Sequence, residues 1–96
     1  LGDRQGAIED YTQAIQLAPN DTRAYINRSN LYRKLGKYQE AIADANQVIK
    51  IKPNNSLAYY NLGLAHRALG DNKAAIEALQ KTAKLCLDQS NQGCYK

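Results

Sequence analysis

Side-chain amides and guanidinium groups, not nucleophiles, are the chemistry-bearing groups that recur in this sequence. Asn27 and Asn61 stand 34 residues apart, each inside a stretch with helical patterning, where an amide has no intrinsic advantage. An amide both donates and accepts, so it can satisfy the N–H and the C=O of a foreign backbone. Around Asn27 stand Arg23, Ile26, Asn30, Arg33 and Lys34, and around Asn61 stand Leu57, Tyr60, Leu64 and Arg67. Guanidinium forks match carboxylates, and a tyrosine offers a flat apolar body with a polar tip. Against this, exposed helix charges often have no task beyond solvation, and both amides have an alternative use in bonds to an adjoining hairpin. The chemistry supported at these positions is recognition of an extended polypeptide.

Bond-making chemistry is poorly supplied. His66 is the single histidine, and Ser29, Ser56 and Ser90 have no matching histidine and acid in their sequence context. No glycine-rich phosphate loop is present. Cys86 and Cys94 belong to no CxxC or Cys/His metal pattern; across a helix-turn-helix they could face each other, but without a sign of an oxidising compartment free thiols are the favoured reading. The expectation is a non-enzyme with no metal and no cofactor.

The elements that would position these side chains follow from an internal repeat. Leu35-Gly36 to Pro53-Asn54 copies Leu1-Gly2 to Pro19-Asn20 at a displacement of 34 residues, and Leu69-Gly70 opens a third copy. Ala7, Ala41 and Ala75 align, as do Ile8, Ile42 and Ile76. Such a period marks a stack of repeats, each burying its apolar face on its neighbours. Apolar residues at spacings of three and four place helices near 6–17, 22–35, 38–51, 56–69 and 72–87. Pro19-Asn20-Asp21 and Pro53-Asn54-Asn55 separate helices, with Asp21 or Thr22 as a cap, and Gly36 and Gly70 stop the helices before them. Short connections make consecutive helices antiparallel. Residues 93–96 read as the start of a sixth helix.

These residues resemble the tetratricopeptide repeat family, whose pattern runs aromatic, Leu-Gly, aromatic, small Ala, large apolar, Pro. The third repeat reads Tyr59, Leu62-Gly63, His66, Ala75 and Leu79, and the second reads Tyr25, Ser29, Tyr32, Ala41, Ala45 and Pro53. The first has only Ala7, Tyr11 and Pro19. The resemblance implies an all-α, right-handed superhelix of antiparallel helical hairpins. Residues 1–21 would be the second helix of a truncated repeat, 22–55 and 56–89 complete repeats, the latter a terminal one, and 90–96 the start of a further helix. His66 falls at an inward position usually held by an aromatic. Arg28 stands in place of Leu, Ala45 in place of a large apolar residue and Leu87 in place of Pro, so looser packing is expected in the second hairpin. Ala41→Phe and Ile76→Asp are expected to destabilise the stack.

By that resemblance the first helix of each hairpin lines a concave surface, which makes Arg23, Ile26, Asn27, Asn30, Arg33, Lys34, Leu57, Tyr60, Asn61, Leu64 and Arg67 a partner-binding groove. The expected function is a protein-interaction scaffold within a larger protein, gripping a peptide or helix of its partner. One branch of the family clamps the terminal carboxylate of chaperone tails; Asn27-Arg28-Ser29 resembles part of its motif, while Leu57 and Asn61 replace the bases needed one hairpin later. A further alternative is self-association through the unpaired first helix, where Ile8, Tyr11 and Ile15 need covering. The net charge of +4 is spread along the chain and not gathered into a stripe, which favours acidic or carboxylate-terminated partners over nucleic acid. No apolar stretch reaches spanning length, so no membrane partner is expected and the expected location is cytoplasmic.

Overall fold

A computed structural model describes residues 3–88 of the chain, which form five helices: α1 (Arg4–Leu17), α2 (Thr22–Lys34), α3 (Tyr38–Ile51), α4 (Ser56–Ala68) and α5 (Asn72–Asp88). No strand occurs among the described residues. The first helix begins two residues earlier than its apolar pattern, because Asp3 caps it by accepting the Gly6 N–H at 3.2 Å. Asp21 and Asn55 do the same for α2 and α4, accepting from Arg23 and Ala58 at 3.0 Å each. Gly36 and Gly70 adopt φ of 79° and 86°, the left-handed geometry that lets the Lys37 and Asp71 N–H groups turn back to the carbonyls of Tyr32 and His66. The expected sixth helix lies outside the described residues.

Each helix packs on the next, and α2 also packs on α4. The two therefore run parallel, one repeat apart. Tyr25, Val48 and Ala58 form the centre of the core, with Ile15, Ile26, Ile49 and Ile51 against it, so one apolar cluster joins α1 to α4. Ala41, Ala45 and Ala65 are fully shielded from solvent.

Within a hairpin the helices meet over small residues, and the two complete hairpins solve the contact differently. Ser29 is fully buried and donates its hydroxyl to the Ala41 carbonyl at 2.8 Å. One period later the residue is Gly63, where an added Cβ would stand 2.7 Å from Cγ of Leu79. Leu79 in turn occupies the position that Ala45 holds in the earlier hairpin. Size has been exchanged across the contact: serine faces alanine in one repeat and glycine faces leucine in the next. Ala45 is itself fully buried, and the register pairs it with Ser29 as Leu79 is paired with Gly63.

Arg28, expected to loosen the second hairpin, instead ties three helices together. Its Nε donates to Asp44 Oδ2 at 2.8 Å, and its Nη2 to Asp44 Oδ1 at 2.7 Å. Nη1 reaches Thr12 Oγ1 on α1 at 3.0 Å, while the Thr12 hydroxyl donates to the Ile8 carbonyl at 2.8 Å. Asp44 is only 5% exposed, and a forked, doubly bonded pair is the geometry that offsets the cost of burying it. In the next repeat the matching residues are Leu62 and Ala78, so an apolar pair replaces the ionic one.

Three further expectations are corrected. Ile76 is 55% exposed, not buried; Ile8 and Ile42 have the first helix of the following hairpin to lie against, and α5 has no such neighbour among the described residues. Ile76→Asp therefore loses its predicted effect. Ile8 is 4% exposed, and Tyr11 and Ile15 are half-buried, so much of the surface assigned to self-association is already covered by α2. Cys86 is buried and disulfide-bonded, not a free thiol; the other cysteine, Cys94, lies outside the described residues.

Arg28→Ala strands a buried carboxylate and is expected to cost about 3 kcal/mol in urea denaturation, whereas Arg28→Leu with Asp44→Ala, which copies the Leu62 and Ala78 pair, recovers most of that loss. Gly63→Ala is expected to cost about 1–3 kcal/mol by overpacking against Leu79, read in the same way. Asp21, held by the Arg23 side chain and then by the Arg23 backbone N–H, has its pKa lowered from 3.8 to about 2. A depressed carboxyl contributes stability that is present above pH 3.8 and is lost as the pH falls through about 2. An NMR titration should place the Asp21 midpoint near 2, and Arg23→Ala should move it back towards 3.8.

Candidate partner-binding face

The candidate residues fall on the two parallel helices α2 and α4, so positions one period apart occupy the same turn of neighbouring helices. Asn27, Lys34 and Arg67 are exposed, as are Leu57 and Tyr60 at 57% and 45%. Ile26, Asn30, Arg33 and Leu64 are half-buried. By register, Arg23 and Leu57 fall in the first turn of their helices, Ile26, Tyr60 and Leu64 nearer the middle, and Arg33, Lys34 and Arg67 in the last turn.

Two candidates are engaged elsewhere. Arg23 folds back on Asp21, donating from Nε at 3.0 Å and Nη2 at 2.7 Å, and these bonds raise its pKa further. The Arg23 side chain is nevertheless 86% exposed, and a pair so open to water is weak enough to exchange. Asn61 is 5% exposed, with its amide nitrogen 3.5 Å from the Ile26 carbonyl across the α2 and α4 contact. Asn61 thus lies against the first helix of the preceding hairpin, whereas Asn27 has no such helix before it among the described residues and is exposed.

Arg33 is the most constrained cation on the face. Its Nη2 donates to Asn30 Oδ1 at 2.7 Å, which sets the orientation of the amide, and its Nε is buried with no hydrogen-bond partner among the described residues. Arg28, part of the triplet that resembles a carboxylate clamp, is turned to Asp44, and the Asp44 hydrogen bond is the main cause of its raised pKa.

Sequence reasoning missed the Thr12, Arg28 and Asp44 network. The available signal was that positions 28 and 44 turn polar together, whereas 62 and 78 are apolar together. Where the ionic pair fills space in one hairpin, Leu62 and Ala78 leave a cleft of about 310 Å³ in the next, lined also by Tyr59, His66, Ala74, Glu77 and Lys81. His66 faces Asp71 at 3.9 Å. No group of three or more His, Cys, Asp or Glu side chains placed to hold a metal occurs among the described residues, and none of the described helices is long and apolar enough to cross a membrane.

Solved structures match the chain over most of its length. The chain is 35% identical to a TPR2B domain of yeast Sti1 solved with an Hsp70 peptide, covering 93% of this chain and 71% of that one at a TM-score of 0.88. It is 31% identical to the second TPR of Spaghetti (RPAP3), solved with the HSP90 peptide SRMEEVD, covering 88% of this chain and 78% of that one at a TM-score of 0.84. It is 27% identical to MamA at a TM-score of 0.87; 93% of this chain is covered, and the chain spans about half of MamA, 52%. No curated protein sequence matches the chain. Residues 29–70 match the family described as TPR repeat, and residues 10–43 and 56–88 match families described as Tetratricopeptide repeat. With the period, the glycine-terminated hairpins and the small-residue contacts all in register, this chain belongs to the tetratricopeptide repeat family.

Proposed function

We propose that the chain is a protein-interaction module that holds a peptide segment of a partner protein along the face shared by α2 and α4. The observation that carries this reading is the exposure of Leu57 and Tyr60 on α4, beside the parallel α2 with its exposed Asn27 and Lys34. Large exposed apolar residues gathered with amides and cations are the composition of a recognition surface. Asn27 offers bonds to a peptide backbone, Leu57 and Tyr60 offer contact area, and the arginines offer charge.

The relatives solved with Hsp70 and HSP90 peptides support a peptide as the ligand class. A terminal-carboxylate clamp of the chaperone-tail kind is less well supplied here, because Arg28 is bound to Asp44 and Leu57 and Asn61 stand where bases are needed. A scaffold function asks nothing of His66, whose ring is half-buried beside Asp71.

Peptides selected from a random displayed library on the wild-type chain should lose at least tenfold in affinity on Tyr60→Ala, and severalfold on Asn27→Ala, by fluorescence anisotropy. Unchanged affinity in both variants, with helicity intact, would refute the assignment of this face.

A further inference from the structure

The carboxylates of this chain are segregated from the face proposed to bind. Glu9 and Asp10 lie on α1, Glu40 and Asp44 on α3, and Glu77 and Asp88 on α5, while Asp3, Asp21 and Asp71 precede helices. Neither α2 nor α4 carries a single Asp or Glu. Their cations are Arg23, Arg28, Arg33 and Lys34 on α2 and Arg67 on α4. Arg23 is held by Asp21 and Arg28 by Asp44. Arg33, Lys34 and Arg67 remain, with no carboxylate bonded to them among the described residues.

These three stand together. Arg33 and Arg67 are one period apart on parallel helices, so both occupy the last turn at the same end of the face, and Lys34 is adjacent to Arg33. Helix-ending carbonyls do not require them: those of Leu31, Tyr32 and Arg33 already accept from Leu35, Lys37 and Gly36, and those of Ala65, His66 and Arg67 from Leu69, Asp71 and Gly70. One carboxylate lies near this end, Asp71, and it is directed to His66 at 3.9 Å. Arg33 is bonded only to the Asn30 amide oxygen, through Nη2 at 2.7 Å, and its Nε has no hydrogen-bond partner among the described residues.

We propose that the partner segment is acidic in its side chains, and that these carboxylates seat on Arg33, Lys34 and Arg67 while an apolar residue of the segment lies against Leu57 and Tyr60. The inference rests on the α2 and α4 face being the binding face. It adds a direction to the bound peptide, with acidic residues at the end where both helices finish, and it removes any need for a free C-terminus. Cations that face a carboxylate-free surface attract internal Asp and Glu as well as they attract a terminal carboxylate.

The test uses fluorescence anisotropy with three labelled probes: acetylated, amidated EEDLEED, the same peptide with a free C-terminal carboxylate, and acetylated, amidated QQNLQQN. The two acidic peptides should bind within about threefold of each other, and QQNLQQN at least tenfold more weakly, with binding of the acidic pair falling as salt rises. Lys34→Glu with Arg67→Glu, both at exposed positions, should weaken EEDLEED at least tenfold, as should Arg33→Gln where circular dichroism shows an intact fold. Lys50→Glu with Lys84→Glu, on α3 and α5, should leave it unchanged. Binding that requires the free carboxylate, binding unaffected by the Lys34 and Arg67 variants, equal capture of QQNLQQN, displacement of EEDLEED by single-stranded RNA of any sequence, or no binding of either acidic peptide would each overturn the proposal. If library peptides without acidic residues bind and depend on Tyr60, the face stands and only its acidic preference falls. If EEDLEED depends on Lys34 and Arg67 but not on Tyr60, the cationic end stands and the apolar contact falls.

Discussion

Ala41 presents so little bulk to α2 that the Ser29 hydroxyl reaches its carbonyl at 2.8 Å, and this close approach of paired helices governs the rest of the molecule. Helices that approach this closely admit a large side chain only where the facing residue is minimal, as Gly63 is to Leu79, and other bulky residues lie on the flanks. There Tyr25 and Val48 meet the neighbouring hairpin, which is how a small hairpin core becomes a continuous one. On the outward turns Ile26 of α2 still reaches the core, while Leu57 and Tyr60 of α4 remain exposed.

Electrostatics follows the same division. Ionic side chains that lie close to the core are matched, as Arg28 is by Asp44 with Thr12 taking the remaining guanidinium edge. A buried pair of this kind contributes less through net attraction than through the penalty for any arrangement that separates its members. It therefore acts on alignment: α1, α2 and α3 are held in one mutual register by a bond that tolerates little sliding. Unmatched cations lie outside this network, at the ends of the helices that face away from it.

Much of the fold was legible because the repeat places punctuation at fixed intervals. Gly36 and Gly70 stop helices through a backbone geometry that other residues adopt at a cost, and Asp21 and Asn55 start them through one hydrogen bond each, so local chemistry alone marks these boundaries. Pairwise contacts were harder to read. Arg28 and Ala45 looked like defects when each was compared with a family pattern by itself; the bond of Arg28 to Asp44 and the register of Ala45 with Ser29 give them a meaning. Ile76 was misread for the opposite reason: its type and register match Ile8, but burial depends on a neighbouring helix and not on the residue itself. The face was legible as a stripe, and the burial of Asn61 was not, because it depends on the preceding α2 lying alongside.

The exchange of serine and alanine for glycine and leucine, together with that of an ion pair for an aliphatic one, has a bearing on how such a chain can have arisen and how it can be altered. Its units share one period, yet each has its own lock and key. Splicing α2 onto α5 would set a serine against leucine and a guanidinium against the methyl of Ala78. Recombination between the copies is thereby penalised, and the order of the modules along the gene is guarded by the interior of the protein it encodes.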